Sequence, residues 1–321
     1  MARRAPGKHY RKGLTIIDAV GLFADDAAAE AWFVEQRWPD GVHCPACNAT
    51  DIQTRRTRKP QPYRCNACRK DFSVKTGSIM HGSKLPLKTW GMAMYLLATG
   101  LKGTSSLKLH RDLGITQKSA WHLAHRIRKT WEADASPFEG PVEADESHFG
   151  GLEQNKPEHR KLHAGRGTVG KTAVAGVKDR TTNRISAAVV PDTTGATLKG
   201  FVRERTQPDA MVYTDDATAY QGLPHHASVT HRVGQWVDGL AHTNGLESFW
   251  SMMKRGYHGT YHKMSPKHLD RYVGEFEGRH NQRPADTLDQ MRRMVRGMDG
   301  KRLTYGALTQ ANGLPSGARR V

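Results

Sequence analysis

The fold is decided by the stretch Ala241-His242-Thr243-Asn244-Gly245-Leu246-Glu247-Ser248-Phe249-Trp250-Ser251-Met252-Met253-Lys254-Arg255, which predicts an amphipathic helix. One face of this helix is apolar and suits packing on a core; it consists of Leu246, Phe249, Trp250 and Met253. A polar stripe lies beside it and consists of Asn244, Glu247, Ser251 and Lys254. Here Glu247 can point into a cleft and Lys254, two turns later, can hold a phosphate. Taken alone, the stretch also fits a surface helix with a solvated Glu–Lys face.

The composition indicates a polyanionic partner. The chain has 321 residues, enough for two or more domains. Its 49 Lys+Arg against 31 Asp+Glu give a formal charge of +18, which attracts phosphate chains by counterion release. No apolar run approaches the roughly 20 residues needed to cross a bilayer, and no signal-peptide pattern follows the start. We therefore expect a soluble, cytoplasmic nucleic-acid binder with no membrane partner.

The four cysteines predict a zinc ribbon over residues 41–80. They form two C-x-x-C pairs, Cys44 with Cys47 and Cys65 with Cys68, separated by 17 residues, which is the spacing of a structural zinc site. Disulfides and a thioredoxin-like redox pair are the alternatives, and both are disfavoured without a secretory signal. Residues 1–40 before the ribbon are expected to form a basic arm and one helix from about Thr15 to Trp38, with Asp25 as a cap.

Residues 81–136 predict helices, the last two with the proportions of a helix-turn-helix. The pair comprises Ser105–Asp112, a turn at 113–115, and Thr116–Lys129. Four residues of the last helix are predicted to face inward: Ala120, Leu123, Ala124 and Ile127. Six are predicted to remain outside, as a recognition helix needs: Gln117, Lys118, His122, His125, Arg126 and Arg128. An ordinary helical hairpin with a solvated face is the alternative.

The pattern changes to strands and helices over residues 137–285. Strands are predicted at Val142–Phe149, Thr172–Lys178, Arg184–Val190 and 211–214, another near Ser228–Trp236, and a helix at Thr194–Thr206. This order predicts a mixed sheet covered by helices, so the fold class is multi-domain with a C-terminal α/β domain. A basic helix continuing along DNA is expected at 279–283, and residues 286–321 are interpreted as a C-terminal tail.

Two aspartates end apolar strands of this region, Asp145 after 142–144 and Asp215 after 211–214. Side chains alternate along a strand, so Asp145 and Glu146 are expected to face opposite ways. If the strands are neighbours, Asp145 and Asp215 converge beside the helix that carries Glu247. Oxygen-only ligands select Mg²⁺ or Mn²⁺, and two such ions about 3.5–4 Å apart can clamp a phosphoryl transfer. Each aspartate taken singly also fits a turn cap at a strand end.

Three blocks of the chain resemble a known family. Residues 142–151 (Val-Glu-Ala-Asp-Glu-Ser-His-Phe-Gly-Gly), 212–215 (Val-Tyr-Thr-Asp) and 242–256 (His-Thr-Asn-Gly-Leu-Glu-Ser-Phe-Trp-Ser-Met-Met-Lys-Arg-Gly) are similar to the motif blocks of bacterial insertion-sequence DDE transposases. The group is the one with an N-terminal zinc ribbon, the insertion-sequence family numbered fifteen-ninety-five. The resemblance covers about Ala24 to Arg283 and implies an RNase H-like catalytic domain. It also implies binding of terminal inverted repeats and target DNA, by a homo-oligomer, with transfer of the cleaved 3′-hydroxyl.

The resemblance also implies roles for individual residues. Asp145 and Asp215 match the first and second acids, Glu247 the third, and Lys254 the basic residue seven positions later. At the third position of the triad, some members of the family have Asn and others have Glu. Here both residues are present, since Asn244 shares a helical face with Glu247. We favour Glu247, because a charged oxygen binds Mg²⁺ better than an amide, with Asn244 as a supporting or alternative ligand. Two magnesium ions and one structural zinc are thus the expected cofactors.

Two other functions fit the same sequence. A non-catalytic regulator would bind DNA through the zinc ribbon and the helix-turn-helix and would never cut it. A structure-selective nuclease on the same fold would hydrolyse DNA without joining the ends to a target. His258, His262 and His268 are interpreted as solvated or phosphate-facing, and no metal role is assigned to them.

Asp145→Ala is expected to abolish Mg²⁺-dependent strand cleavage and to leave DNA binding intact, because it removes one metal ligand from the expected triad. A gel for nicked product, run beside a binding assay with and without Mg²⁺, measures both. Cleavage that persists in this variant would show that the triad assignment is wrong.

Overall fold

The computed structural model describes residues 12–55, 57–132, 136–151, 156, 158–162, 167–215, 217–229 and 243–316. The chain divides into two compact units, Met1–Ala133 with Gln282–Gln310 and Asp134–Asn281 with Ala311–Val321. Within the described residues no helix combines the length and apolarity that crossing a membrane demands. The predicted N-terminal basic arm, and residues 230–236 of the predicted strand near Ser228, lie outside the described residues.

Two helices open the first unit, α1 (Ile16–Leu22) and α2 (Asp26–Arg37), where the sequence predicted one. The break has a local cause. Thr15 and Asp18 form a reciprocal capping box at α1, and the Asp25 carboxylate accepts from the Ala28 amide to start α2. The predicted cap at Asp25 is confirmed, but it begins a second helix.

A three-stranded antiparallel sheet follows, in the order β1-β2-β3. Its strands are β1 (Ile52–Thr54), β2 (Tyr63–Cys65) and β3 (Asp71–Phe72). Arg55 and Arg64 both donate to the Asp71 carboxylate, at 2.9 and 3.3 Å. Both arginines are therefore partly engaged inside the ribbon.

Three helices, α3 (Leu87–Thr99), α4 (Ser106–Leu113) and α5 (Gln117–Arg128), complete the N-terminal part of this unit. Gly114 ends α4 in the left-handed conformation, with φ of 63°, which glycine adopts without strain. The four residues predicted to face inward from α5 are buried, each with at most 1% exposure.

The predicted outer face of α5 is wrong at three positions. His125, Arg126 and Arg128 are buried rather than solvent-facing. Arg126 donates to the backbone oxygens of Ile79 and His81 at 2.6 and 2.8 Å. Periodicity assigns charged residues to the solvent side, whereas here backbone carbonyls from a distant segment accept the guanidinium protons.

The C-terminal tail is also corrected. Residues Thr287–Arg296 form a helix, α9, and Tyr305–Thr309 form α10. Five apolar residues of this segment are fully buried in the core of the first unit: Met291, Met294, Val295, Met298 and Leu308. Gly297 allows the close approach, because a Cβ there would lie 2.2 Å from the Thr130 carbonyl oxygen. The segment therefore completes a core that begins more than 250 residues earlier.

The second unit contains the mixed sheet that the sequence predicted. Its strands are β4 (Val142–Phe149), β5 (Thr172–Asp179), β6 (Ile185–Val190), β7 (Val212–Asp215) and β8 (His226–Val229). Their order is β6-β5-β4-β7-β8. The pairs β4–β5 and β5–β6 are antiparallel, and β4–β7 and β7–β8 are parallel. The first strand in sequence is thus the central one.

Helices cover both faces of this sheet. One face packs with α6 (Gly195–Arg205), through Leu198, Phe201 and Val202. The other packs with α7 (Asn244–Gly256) and α8 (Pro266–Gln282). The apolar stripe predicted on α7 is confirmed, since its four residues are at most 4% exposed.

The side chains of α8 satisfy the open edge of β6. Asn281 accepts from the Ile185 amide at 2.8 Å, and Glu277 accepts from the Ala187 amide at 3.1 Å. Free amides of an edge strand otherwise invite pairing with another chain. The basic helix expected along DNA at 279–283 is therefore engaged within its own unit at Asn281.

Met294→Ala is expected to destabilise the first unit by roughly 2–5 kcal/mol, because it leaves a cavity in a fully buried site. The matched control is Arg293→Ala, at an exposed position of the same helix, with an expected change within about 0.5 kcal/mol. Urea unfolding followed by tryptophan fluorescence gives both free energies. Equal stability of the two variants would support a tail and contradict a core role for α9.

Candidate functional site

The centre of the second unit is built on β4, the central strand. Val142 pairs with Val212 of the parallel neighbour β7, an offset of 212 − 142 = 70 residues. Asp145 and Asp215 have the same offset, 215 − 145 = 70, so they occupy matching levels of two adjacent parallel strands. The convergence of these aspartates that the sequence predicted therefore follows from the strand register.

Two carboxylates of β4 hold helix α7 against the sheet. Glu143 is 2% exposed, and its Oε2 accepts from the Leu246 amide at 3.1 Å, in the first turn of α7. Two residues on, and therefore on the same face, Asp145 Oδ2 accepts from the Trp250 indole Nε1 at 3.0 Å. Arg180 donates to the other Glu143 oxygen at 3.0 Å, so the anchoring carboxylate is itself paired.

Two glycines make this docking sterically feasible. A Cβ on Gly245 would lie 2.6 Å from Glu143 Oε2, and one on Gly176 would lie 2.8 Å from the Trp250 ring. Gly176 is the β5 partner of Asp145 in the sheet register. The indole thus lies over a strand position without a side chain, directly beside the aspartate to which it donates.

A cavity of about 500 Å³ opens between β4 and the polar stripe of α7. Residues of β4 form one wall, and residues of α7 and of the π-helical turn that follows it (Tyr257–Tyr261) form the other. The lining residues are Asp145, Glu146, Ser147, Glu247, Trp250, Ser251, Lys254, Arg255 and His258. Glu247, Ser251, Lys254 and His258 follow the spacing i, i+4, i+7 and i+11 of a single helical face.

Two carboxyl groups of this cavity have raised pKa values. The pKa of Asp145 is raised to about 7, chiefly by burial and then by the negative charges of Glu146 and Asp215. The pKa of Glu146 is also raised, by burial first and by Asp215, although a hydrogen bond from Tyr220 opposes the shift. The causes that raise both pKa values are burial and neighbouring carboxylates. Carboxylate oxygens that repel one another are a donor set that suits a hard divalent metal ion.

The structure brings some of the predicted site residues together and leaves others apart. Asp145, Glu247 and Lys254 line one cavity, and Asp215 lies close enough to Asp145 to raise its pKa. Asn244, the first residue of α7, is exposed and lies outside the described lining. Among the described residues, the predicted acidic triad does not form a cluster of ligand atoms within 4.8 Å of one another.

Glu146, Ser147 and His258 also line the cavity. Sequence analysis assigned no site role to the first two and interpreted His258 as solvated or phosphate-facing. The i to i+11 spacing between Glu247 and His258 is a sequence signal that could have identified His258 as a lining residue. Alternation along β4 had placed Glu146 on the opposite face, and its hydrogen bond to Tyr220 on the α6 side agrees with that. His268, interpreted as solvated or phosphate-facing, is instead 6% exposed, and its Nδ1 accepts from the Arg271 guanidinium at 3.1 Å.

The cysteines form a separate centre in the first unit. The ligand atoms of Cys44, Cys47, Cys65 and Cys68 all lie within 4.8 Å of one another, and all four thiols are free. The Cys68 amide donates to Cys65 Sγ, and this hydrogen bond is the main cause that lowers the pKa of the Cys65 thiol to about 7. Four converging thiolates match the donor set of a closed structural zinc site, as the spacing predicted.

Two domain families match the chain. Residues 137–281 match the ISXO2-like transposase domain, and residues 24–71 match the transposase zinc-ribbon domain. The first match contains β4 to β8, α7 and the acidic cavity. The second contains α2, β1, β2 and all four cysteines.

Two relatives are similar over different lengths. A protein of Halobacterium salinarum, described as an uncharacterized protein in transposable element ISH50, is 28% identical over 272 residues, covering 80% of this chain and 92% of the relative. An uncharacterized transposase-like protein of Haemophilus influenzae is 29% identical over 102 residues, covering 30% of this chain and 81% of its own length.

Asp145→Asn is expected to stabilise the second unit at pH 8 in buffer without Mg²⁺ or Mn²⁺, by up to about 4 kcal/mol. Since the folded-state pKa is raised, the wild-type protein loses stability as the pH rises from 3.8 to about 7. The difference between the proteins should therefore vanish near pH 4 and become constant above pH 7. Urea unfolding across this range measures it, with the exposed Asp209→Asn as control. A difference in stability that does not change with pH would contradict the raised pKa of Asp145.

Proposed function

The chain belongs to the IS1595 family of transposases, and from this premise we propose that it cleaves the ends of a DNA element and joins each freed 3′-hydroxyl to target DNA. The observation that carries the proposal is that Asp145, Glu247 and Lys254 line the same cavity. A phosphodiester needs a metal on its reacting oxygens and a cation on its remaining oxygens. This cavity offers residues for both tasks.

Asp145, Asp215 and Glu247 are the residues that hold the divalent ions in this proposal, on an RNase H-like domain. Bound Mg²⁺ or Mn²⁺ supplies Lewis-acid activation of the attacking and leaving oxygens of phosphoryl transfer. Trp250 holds Asp145 in place by donating to one of its oxygens. Asn244 stays an alternative third ligand, but Glu247 lines the cavity and Asn244 does not, which favours Glu247.

The α7 wall positions the DNA backbone. Lys254, Arg255 and His258 lie exposed along the cavity and can donate to the non-bridging oxygens of neighbouring phosphates. Ser251, between Glu247 and Lys254 in the helical stripe, offers a neutral donor. These contacts are independent of base identity, which suits a site that acts at the end of an element and at varied targets.

Recognition of terminal inverted repeats is assigned to the first unit, through the zinc ribbon and the α4–α5 pair. The exposed positions Arg111, Gln117 and Lys118 remain available on that pair, while the buried positions of α5 stabilise its core. We also assign a homo-oligomeric assembly on double-stranded DNA, because two element ends must be joined in one event.

Lys254→Ala is expected to lower the yield of joined product by about tenfold or more, because it removes a charge that holds a phosphate at the reacting position. The assay supplies a pre-cleaved candidate element end, a target plasmid and Mg²⁺, and measures joined ends on a gel. Lys263→Ala, an exposed lysine outside the cavity lining, is the matched control. Hydrolysis without joining by the wild-type protein would favour a nuclease, and binding without cutting would favour a regulator.

A further inference from the structure

Glu146 is held by a buried tyrosine. It follows Asp145 on β4, and its Oε2 accepts a hydrogen bond from the Tyr220 hydroxyl at 2.6 Å. Tyr220 is 1% exposed, so its hydroxyl has little access to water and is directed at this carboxylate. The turn that follows the neighbouring strand β7 therefore provides Glu146 with a fixed orientation.

The turn that carries Tyr220 also holds Asp215. A short 3-10 turn, Thr218–Tyr220, follows β7, and the Ala217 amide donates to Asp215 Oδ1 at 3.2 Å. The Tyr220 amide then donates to the Ala217 backbone oxygen at 3.1 Å. Tyr220 lies five positions after Asp215 (220 − 215 = 5). The same short turn thus positions the Asp215 carboxylate and the hydroxyl that orients Glu146.

The negative charge of Glu146 needs a physical reason. Its neighbours Asp145 and Asp215 are both carboxylates, and each interaction is repulsive. The Tyr220 hydroxyl supplies one hydrogen bond and no positive charge. A glutamine would accept the same hydrogen bond without the repulsion, so packing and hydrogen bonding alone do not account for an acid here. A cation bound among these groups does account for it.

We propose that Glu146 is a fourth carboxylate of the divalent-metal site, oriented by Tyr220. This deepens the proposed function and rests on it, because it presupposes that Asp145, Asp215 and Glu247 hold the ions. With Glu146 the site carries four negative charges, which balance the four positive charges of two divalent ions. With only three carboxylates, one positive charge of the two ions would remain uncompensated. The proposal thus assigns two consecutive residues of β4, whose side chains leave opposite faces of the strand, to one site.

The test measures Mn²⁺ binding directly, by electron paramagnetic resonance of the free ion, on the full-length protein with zinc at the cysteines. Glu146→Gln keeps the hydrogen bond to Tyr220 and removes the charge, and is expected to weaken Mn²⁺ binding tenfold or more. Tyr220→Phe keeps the charge and removes the orienting hydroxyl. It is expected to weaken binding by a smaller factor, about tenfold at most. Glu204→Gln, at an exposed acid of the same unit, is the control and should bind as the wild type does.

The outcomes separate this inference from the proposed function. Asp145→Asn and Asp215→Asn are measured in parallel, with circular dichroism and thermal unfolding to confirm the fold of each variant. Loss of Mn²⁺ binding in these two, with Glu146→Gln within twofold of the wild type, would overturn the role of Glu146 and leave the metal site standing. Wild-type binding in the two aspartate variants would overturn the metal site itself.

Discussion

The hydrogen bonds from helix α7 to the central strand β4 are the constraint on which the rest of the site depends. Glu143 accepts from the backbone of the first turn, and Asp145 accepts from the Trp250 indole one turn later. Two contacts on one strand face fix both the position and the rotation of the helix. Since Glu247 and Lys254 share that helix, their place in the cavity follows from these contacts. Gly245 and Gly176 are required because nothing larger allows so close an approach.

The same strand combines stability and function in alternate residues. Glu143 is buried and paired with Arg180, so its charge is compensated inside the unit. The pKa values of Asp145 and Glu146 are instead raised by burial and by neighbouring carboxylates. The difference separates a carboxylate whose charge is paired within the unit from two whose charges repel each other. Burial of uncompensated charge lowers stability, and it also creates the strong local field that a divalent ion needs to bind tightly.

The chain order of the units has a structural consequence. Residues of the second unit lie in sequence between two parts of the first, since α9 returns to a core formed by α2 and α3. Fully buried methionines fill this core at its C-terminal end. Their flexible side chains suit a surface assembled from segments far apart in sequence. The first unit is therefore complete only after residues 134–281 of the second unit have been synthesised.

The sequence by itself determined the local features: the cysteine pairs, the apolar stripe of α7, the strands at 142–149 and 172–179, and the offset between Asp145 and Asp215. These follow from spacing and periodicity, which are properties of short segments. Only the tertiary structure decided which distant groups complete them. The burial of Arg126 depends on carbonyls from residues 79 and 81, the burial of α9 on a core at the other end of the chain, and the orientation of Glu146 on Tyr220. Periodicity predicts that a face is buried or exposed, but the partner that satisfies a buried charge is set by packing between segments that the sequence does not place side by side.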